Sequence, residues 1–549
     1  MEEKTQKFEM VTVSSLEKVL PFADIENTET SGSFLYGERY NFQIALKNLE
    51  ETCSMGGQIK VVGELAPYIT FRRADLVPGI ARPIAQDDYY LPKEAQLIPD
   101  PLFDLDQIGF SSPYKQWRSL WVSVCVPETV KPGVYPTRFE YFYAGETQAV
   151  VTYDLEVIGA KLPETDLKLT NWMHYDCICQ KHGVKPFSKS FYKIFGKYLD
   201  VYVESGFNML LTPMFTPPLD TKVGGERLTV QLIDVVKDGG RYAFNFDKLK
   251  FFIQFALQKG VRYFELSHLF TQWGGKACPK ILASVNGKQK RIFGWDNASD
   301  SKEYQEFLLS FLPELVKVLK EKGVQEKCYF HLTDEPSEAH LEVYEKCRKL
   351  VKGSIGDMPT MDAISEYAFY EKGLIDVPVP IISSYHNFEK ANIKELFVYN
   401  CCFPTTGYYS GRFIMFPSQR TRILGIQMYQ SGVQGYLHWG YNFYRSWLSI
   451  EEINPFLTND SCGPYPAGDG FIVYPVKNGV ISSIRAEVEN DGFQDYRALK
   501  LLEKYLGREQ VMKIVADWGV EGYDKYPRSA IEHRKFRETI NALIKKQIS

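Results

Sequence analysis

Strand-like segments alternate with helical segments eight times over residues 164–510, and this alternation constrains the fold more than any other feature. Each short apolar run is followed by an amphipathic stretch with helical periodicity, which is the pattern of βα units. Eight such units predict a (β/α)8 TIM barrel, because eight parallel strands with crossover helices close into one. The predicted strands are Leu167–His174, Met209–Phe215, Val261–His268, Lys327–Thr333, Pro359–Ile364, Val377–Tyr385, Leu396–Phe403 and Val433–Trp439.

The helical segments complete this prediction. The segment Gln272–Trp295 contains Gly-Gly and Asn-Gly turn signals, so we expect a β-hairpin inserted after the third strand, on the catalytic face. Residues 511–549 are expected to form a helical tail packed on the barrel. The predicted helices are Ser188–Ser205, Asp247–Lys259, Ser301–Lys322, Glu338–Lys352, Tyr367–Lys372, Lys390–Glu395, Ser418–Ser431 and Ala486–Leu506.

Residues 1–163 show a different pattern, of short alternating strands without helical periodicity. This pattern is typical of a β-sandwich, with strands at Tyr40–Lys47, Ser119–Val126, Thr137–Ala144 and Ala149–Ile158. The proline-rich segment Ile98–Asp104 is predicted to be a loop at the domain junction. The chain is therefore predicted to be multidomain: an N-terminal β-sandwich, a catalytic barrel over residues 164–510 and a helical tail.

The composition and charge of the chain argue against nucleic-acid and membrane partners. The net charge is −4 over 549 residues and the pI is about 6.2, so no basic surface for nucleic acid is expected. No apolar run approaches the roughly 20 residues that span a bilayer, and the charged start Met1–Lys7 is not followed by an apolar segment. We therefore expect no membrane partner and a cytoplasmic location, unless a leader has been trimmed from this chain.

The cysteines and histidines give little support for a metal site. The ten cysteines are scattered and form no CxxC pair, so neither a disulfide framework nor a thiolate zinc site is expected. A metal-dependent barrel hydrolase remains a rival interpretation, although no HExxH motif occurs and the first strand has no HxH pair. We predict neither a metal nor a cofactor. The histidines on which that rival rests are His174, His268, His386 and His438.

Two adjacent acids, Asp334 and Glu335, end the fourth predicted strand and are followed by Pro336. Proline disfavours helical geometry at the preceding residue, so Glu335 is expected in an extended or loop conformation. The carboxyl ends of the strands form the catalytic face of a barrel, which places both acids where chemistry occurs. Glycoside hydrolysis needs a proton donor at the leaving oxygen, and Glu335 is our candidate for that role.

A separate carboxylate nucleophile is missing from the strands opposite this pair. An ordinary retaining glycosidase places one about 5–5.5 Å from the acid. The ends of the sixth, seventh and eighth strands offer none, as their sequences Ser384–Asn387 (SYHN), Phe397–Pro404 (FVYNCCFP) and Gly435–Asn442 (GYLHWGYN) show. The alternative is substrate-assisted catalysis, in which the 2-acetamido oxygen of the sugar attacks the anomeric carbon. Asp334 would then stay ionised and orient the acetamido group, while Glu335 holds the proton.

Several motifs in this order resemble glycoside hydrolase family 123: Tyr36–Gln43 (YGERYNFQ), Thr333–Pro336 (TDEP), His438–Asn442 (HWGYN), Ser483–Glu487 (SIRAE) and Asp491–Tyr496 (DGFQDY). The resemblance covers nearly the whole chain, although Gln494 stands where an acidic residue is frequent. It implies a retaining, metal-free, exo-acting β-N-acetylgalactosaminidase. Carried over to this sequence, Asp334 stabilises the acetamido group and Glu335 is the acid/base.

Other residues at predicted strand ends are candidates for substrate contact. Ring faces stack on sugars and amides bond to hydroxyls, and Tyr385 is the candidate donor to the acetamido carbonyl. The full set is Tyr385, Trp439, Tyr441, Asn442, His174 and Asn400. The pair Arg485 and Glu487, before the last barrel helix, is expected to be structural.

The expected partner is a glycan or small molecule with a terminal 2-acetamido sugar. Two alternatives remain open from the sequence. One is a β-N-acetylglucosaminidase of the same mechanism, because a single hydroxyl contact decides the configuration at C4. The other is a non-catalytic carbohydrate-binding relative that keeps the fold.

Overall fold

A computed structural model describes residues 7–51, 54–80, 85–105 and 109–548. The chain consists of an N-terminal region rich in β-sheet and a C-terminal region of mixed helix and sheet. The N-terminal strands are β1 (Phe8–Ser14), β2 (Ser31–Tyr36), β3 (Tyr40–Asn48), β4 (Ser54–Val62), β5 (Ile69–Gly79), β6 (Gln96–Asp104), β7 (Phe110–Ser112), β8 (Trp117–Val124), β9 (Gly133–Tyr143) and β10 (Glu146–Lys161).

These strands form two five-stranded sheets, with orders β1-β3-β8-β5-β6 and β2-β10-β9-β4-β7. Apolar side chains from both sheets meet in one buried core. Phe42 on β3 stacks on Tyr153 on β10, with ring centroids 4.2 Å apart. Two sheets that share such a core have the layered arrangement of a sandwich.

The prediction of a loop at Ile98–Asp104 is wrong, because this segment belongs to strand β6. Strand β6 lies at the edge of its sheet and pairs only with β5 there. An edge strand tolerates proline because one of its sides needs no backbone donor. The segment does lie at the junction with the C-terminal region, since Pro101 forms a bridge with Ser483.

Each of the eight predicted strands of the C-terminal region contains a shorter observed strand. They are β11 (Lys168–Asn171), β12 (Met209–Thr212), β15 (Tyr263–Leu266), β18 (Cys328–Phe330), β19 (Met361–Ala363), β20 (Val377–Val379), β21 (Phe397–Tyr399) and β22 (Gly435–His438). Six of them form one parallel sheet, in the order β18-β15-β12-β11-β22-β21, and β19 pairs with β20 in a separate parallel pair. Single parallel bridges, Phe330–Thr360 and Ile381–Tyr399, connect that pair to the two edges of the sheet.

The predicted insertion hairpin is present as β16 (Ile281–Val285) and β17 (Lys288–Phe293). It extends a second hairpin, β13 (Asp234–Asp238) and β14 (Arg241–Asn245), into a four-stranded sheet that the sequence interpretation did not anticipate. A last short hairpin consists of β23 (Tyr474–Val476) and β24 (Gly479–Ile481).

The helices are α1 (Tyr175–His182), α2 (Lys189–Glu204), α3 (Asp247–Gln258), α4 (Lys302–Glu321), α5 (Leu341–Ile355), α6 (Ala368–Glu371), α7 (Ser418–Arg422), α8 (Leu424–Ser431), α9 (Ile484–Leu506), α10 (Arg508–Trp518) and α11 (Ala530–Ile548). The helix predicted at Lys390–Glu395 is absent; the chain there makes turns, and a short 3-10 helix covers Ile382–Asn387 instead. No side chain of this segment is buried, whereas the even shorter α6 buries Phe369, so tertiary packing supports only α6. Among the helices of the described residues, none is long and apolar enough to cross a membrane.

Helix α9 packs between the two regions. The polar residues of its motifs Ser483–Glu487 and Asp491–Tyr496 are buried there. Arg485 pairs with Asp100 of β6 at 2.9 Å, and Glu487 pairs with Arg72 of β5 at 2.6 Å. The expectation that Arg485 and Glu487 are structural therefore agrees with their contacts. Gly492, in the motif Asp491–Tyr496, has a packing role. A Cβ atom on Gly425 of α8 would lie 1.7 Å from the carbonyl oxygen of Gly492, so the backbones of α8 and α9 are in direct contact.

Helix α11 packs against α9 and also against β2 and β10 of the N-terminal region. Asn541 donates to the carbonyl oxygen of Ser33, and Arg537 pairs with both Glu38 and Asp495. The C-terminal segment thus contacts both regions.

Candidate active site

A cavity of about 220 Å³ opens at the carboxyl ends of the parallel strands. Its walls come from the segments that follow six of the eight strands, from one residue each of β19, β21 and β22, and from a later loop. Loops that are distant in sequence therefore converge on one small volume, which is where barrel enzymes place their chemistry. The lining residues are Trp172, Leu219, Asp220, Trp273, Asp334, Glu335, Ala363, Tyr399, Cys401, Cys402, Leu437, Trp439 and Tyr465.

The predicted acid pair lies in this cavity, four and five residues beyond the end of β18. Local hydrogen bonds fix the segment: the Trp273 amide donates to the Asp334 carbonyl at 2.8 Å, and the Thr333 hydroxyl donates to the Thr271 carbonyl at 2.6 Å. Glu335 lies in a loop, as expected, but with φ of 45° in the left-handed region. A non-glycine residue in this region costs about 1–3 kcal/mol and such residues concentrate at functional sites.

Tyr399, at the end of β21, holds the side chain of Glu335. Its hydroxyl donates to Glu335 Oε1 at 2.6 Å across the cavity. The Tyr399 ring is buried, whereas Glu335 is exposed to the open cleft. The acid is thus fixed at one oxygen and free to contact a ligand with the other.

A buried charge network lies beneath the acid pair. His331 is fully buried between Glu265 and Asp362, with Nε2 2.8 Å from Glu265 and Nδ1 3.2 Å from Asp362. Burial lowers the pKa of His331, but hydrogen bonds and charge from Asp362 and Glu265 outweigh it and raise that pKa to about 9. His331 is therefore an imidazolium at neutral pH, and its positive charge favours the ionised form of Asp334.

The protonation of the acid pair differs from the expectation. Burial, together with the charge of neighbouring Glu335, raises the pKa of Asp334 well above its usual range, and the His331 charge only partly offsets this. This shift favours the protonated form of Asp334 in the unliganded enzyme, whereas the sequence interpretation expected Asp334 to stay ionised. Two adjacent acids in one cavity cannot both ionise cheaply, which is why the charge of Glu335 acts on Asp334 in this direction.

Asp220 is a third cavity carboxyl group that the sequence interpretation did not find. It follows β12 in a loop, and Tyr465 donates to its Oδ1 at 2.5 Å. Its Oδ2 is buried without a hydrogen-bond partner in the protein. Burial raises the pKa of Asp220 to about 6, although Tyr465 and Arg227 act in the opposite direction. A buried oxygen without a partner at a cavity wall is suited to accept a hydrogen bond from a ligand hydroxyl.

Trp439 lines the cavity, as predicted, and a buried acid orients its ring. The indole Nε1 donates to Asp469 Oδ2 at 2.9 Å. Behind it, His438 Nδ1 accepts from Arg412 at 2.6 Å and from the Gly440 amide at 3.1 Å, so its proton is on Nε2, which faces Asp469 Oδ1 at 3.4 Å. The Asp469 carboxyl group therefore faces the N–H groups of both Trp439 and His438, and its hydrogen bond to Trp439 fixes the orientation of the indole ring.

Three other candidates support this wall without lining it. The Asn442 amide bonds to both the backbone N–H and C=O of His174, and the His174 ring bonds to the Trp439 carbonyl at 3.0 Å. Burial and the charge of Arg227 lower the pKa of His174 to about 3, so its ring is neutral. Tyr441 is fully buried and donates to the Tyr198 carbonyl. All three residues lie beyond the ends of strands β11 and β22, so the strand pattern in the sequence did not determine which way their side chains point.

The last two candidates also lie outside the cavity lining. Asn400 is buried between Tyr436 and the Ser410 carbonyl. The Tyr385 hydroxyl donates to the Ser431 carbonyl at 2.9 Å, and its ring packs on Tyr523. Tyr385 was placed at a strand end, but strand β20 stops at Val379 and Tyr385 belongs to the following 3-10 helix. The tyrosine that contacts the acid pair is Tyr399.

Only one group of residues in the described part of the chain has the composition and proximity of a metal site. His268, His331 and Asp362 offer ligand atoms within 4.8 Å of one another, and both ring nitrogens of His268 lack partners. Both nitrogens of His331 are however occupied by carboxylates, and its pKa of about 9 opposes the neutral form that metals require. The donor set therefore fits an ion network better than a metal centre.

The cavity contains adjacent acids and aromatic walls, which are the groups that glycoside hydrolysis uses. The sequence matches the family description "Glycoside hydrolase 123, catalytic domain" over residues 172–502, more than half of the chain. The chain therefore belongs to glycoside hydrolase family 123, and it acts on a glycan substrate. Comparison with curated proteins gives no match.

A solved structure of a family 123 glycoside hydrolase from Clostridium perfringens is similar along its whole length. It superposes with a TM-score of 0.75 at 15% identity, covering 99% of this chain and 98% of that one. At this identity the likeness concerns the fold. A Bacteroides ovatus GH5 xyloglucanase (TM-score 0.29, 8% identity, 84% and 98% coverage) and a Rhizomucor miehei family 5 mannosidase (TM-score 0.31, 11% identity, 68% and 97% coverage) are much less similar.

Proposed function

We propose that this enzyme is a retaining exo-β-N-acetylgalactosaminidase that uses substrate-assisted catalysis. The observation that carries the proposal is the adjacent pair Asp334 and Glu335 in one small cavity, with one acid enclosed and the other exposed. A volume of about 220 Å³ is below the roughly 300–1,000 Å³ of typical ligand pockets, which suits one terminal sugar rather than an extended chain.

We further propose that the eight parallel strands act as a (β/α)8 barrel over residues 164–510. Inward-facing apolar residues of β12, β18, β19, β20, β21 and β22 form one interior cluster. This shared interior and the bridges at both edges of the β19–β20 pair support closure. The proposed units are then the sandwich (1–163), the barrel (164–510) and the tail (511–549).

In the proposed mechanism the acetamido N–H of the bound sugar donates to Asp334. Positive charge develops on the oxazolinium ring as the acetamido oxygen attacks the anomeric carbon, and this charge favours ionised Asp334. His331 beneath it acts in the same direction. The single proton of the pair then moves to Glu335, which donates it to the leaving oxygen and later removes a proton from the attacking water.

The walls supply the remaining contacts. Trp439, fixed by Asp469, presents its ring to the sugar, while Trp172 and Trp273 enclose the cavity from other sides. The free Oδ2 of Asp220 accepts from a sugar hydroxyl. These groups bind the terminal sugar, and Tyr399 keeps Glu335 aligned with the leaving oxygen.

Asp220 also supports a second mechanism, because it places another carboxyl group in the cavity. An ordinary two-carboxylate glycosidase would use it as the nucleophile. Against this role, Asp220 is buried and its Oδ1 accepts a hydrogen bond from Tyr465.

A substrate panel and three variants test the proposal. The p-nitrophenyl glycosides of β-GalNAc, β-GlcNAc and β-Gal are compared, with a thiazoline analogue as inhibitor. Hydrolysis of β-GalNAc, no hydrolysis of β-Gal, and thiazoline inhibition are expected; a preference for β-GlcNAc would assign the alternative sugar. Equal cleavage of the 2-hydroxy substrate, or no thiazoline inhibition, contradicts substrate assistance.

The variants separate the roles of the acids. Glu335→Ala should lose most activity on poor leaving groups but retain activity on activated aryl glycosides, whereas Asp334→Asn should lose both. Glu338→Ala, which removes an exposed glutamate three residues away, is the matched control. A covalent glycosyl adduct on Asp220 would instead establish the two-carboxylate mechanism. Full activity of Glu335→Ala would remove Glu335 as the acid, and no hydrolysis of any of the glycosides by the wild type would indicate a non-catalytic relative.

A further inference from the structure

Two adjacent thiols, Cys401 and Cys402, form part of the cavity wall just after β21. Their sulfur atoms are 4.0 Å apart, and Cys401 Sγ also lies 3.6 Å from the Phe403 carbonyl oxygen. Both side chains are half-buried and face the same volume as Glu335. The proposed hydrolysis needs neither of them.

A disulfide between these two residues is disfavoured. The Cα atoms of adjacent residues are about 3.8 Å apart across a trans peptide, whereas disulfides normally join Cα atoms about 4.4–6.8 Å apart. Such a bond would be strained and easily reduced. Two sulfurs 4.0 Å apart can instead both bond to one soft atom placed between them, and thiolate ligands select soft ions.

We propose that Cys401 and Cys402 form a dithiol site for trivalent arsenicals and other thiophilic ions, and that occupation of this site blocks the sugar cavity. Cys401 is two residues from Tyr399, whose hydroxyl holds Glu335, so an atom bound to both sulfurs lies on the wall next to the acid. For an organoarsenic(III) hydroxide, two As–S bonds form and two As–O bonds break. The two thiol protons leave with the hydroxides as two waters, and no atom changes its oxidation state.

The other described cysteines decide which variant can serve as a control for the dithiol site. Cys177, Cys179, Cys278, Cys328 and Cys347 are buried, whereas Cys125 and Cys462 are exposed. Cys125 lies in the N-terminal region, and none of the other described cysteines is near it in the sequence. It therefore provides a single-thiol control. Cys53 lies outside the described residues.

The experiment treats the full-length enzyme with one equivalent of phenylarsine oxide and measures intact mass. One phenylarsenic adduct per chain is expected in the wild type and in Cys125→Ala, and none in Cys401→Ala or Cys402→Ala. An adduct that persists in both of the last two variants overturns the site. This measurement is independent of any glycosidase activity.

The proposal that an occupied dithiol site blocks the sugar cavity rests on the proposed function. It is tested by measuring the rate of hydrolysis of p-nitrophenyl β-GalNAc. The adduct should reduce the rate at least 10-fold, and dithiothreitol, but not the same thiol concentration of 2-mercaptoethanol, should restore it. Each variant is compared with its own untreated rate. An adduct on Cys401 and Cys402 with an unchanged rate overturns the blocking. If no glycoside is cleaved at all, the proposed function fails while the mass measurement still decides the dithiol site.

Discussion

Replacing Tyr399 with phenylalanine tests the structural account of the acid most directly. The change removes only the hydroxyl that donates to Glu335 Oε1 at 2.6 Å and keeps the buried ring. A hydrogen bond to a charged group contributes roughly 1.5–3 kcal/mol. Because Glu335 is exposed, water replaces part of this contact, which reduces the expected loss to about 1–2 kcal/mol. At about 1.4 kcal/mol per tenfold change, kcat/KM should fall roughly 5- to 30-fold.

The matched control is Tyr385→Phe. This hydroxyl donates to the Ser431 carbonyl outside the cavity, so its removal should change kcat/KM less than about 2-fold. Both variants are assayed on an activated aryl glycoside and on a disaccharide. The Tyr399→Phe loss should be larger on the disaccharide, since a poor leaving group depends more on the acid.

Two results would refute this reasoning. A Tyr399→Phe enzyme within 2-fold of wild type on the disaccharide would mean that the phenol does not align the acid. A Tyr385→Phe enzyme impaired more than Tyr399→Phe would restore the sequence-based assignment of Tyr385. Thermal unfolding of both proteins separates an effect on the site from a loss of folding.

Two further predictions concern stability. Because the pKa of His331 rises from 6.5 to about 9, its charge stabilises the fold fully below pH 6.5, and this stabilisation is lost as the pH rises through 9. The free energies of urea unfolding of wild type and His331→Gln should therefore differ more at pH 6 than at pH 9.5, by up to about 3 kcal/mol. A difference that does not change with pH would contradict the imidazolium assignment. Arg485→Met leaves Asp100 buried with the Tyr474 hydroxyl but without its guanidinium partner, and should cost about 3–5 kcal/mol in urea unfolding. The double variant Asp100→Leu/Arg485→Met should recover most of this loss, whereas a loss equal to the sum of the single variants would mean that the pair is not coupled.

The alternation of apolar runs and amphipathic segments was sufficient to locate all eight C-terminal strands. The acids at the end of the fourth were identified for the same reason, since a strand that ends in Asp-Glu-Pro places carboxyl groups at its carboxyl end whatever surrounds it. Local signals failed where packing or position in a sheet decided the outcome. Lys390–Glu395 has no buried side chain to support a short helix, and the prolines of β6 are tolerated because that strand lies at an edge.

The composition of the site depended on tertiary structure. Asp220 and Tyr465 lie on loops 245 residues apart and meet only because the strands bring their carboxyl ends together. Tyr399 and Tyr385 both follow apolar runs, and only the ends of the strands decide which one reaches Glu335.

The protonation of the acid pair was likewise beyond the sequence. The sequence alone establishes that Asp334 and Glu335 are adjacent in the chain. Whether Asp334 is protonated depends on its burial and on the His331 charge beneath it, and both depend on residues packed from other strands. The sequence by itself therefore determined which acidic and aromatic groups the chain offers, and the tertiary structure decided which of them line one cavity, because packing brings together loops that are distant in sequence.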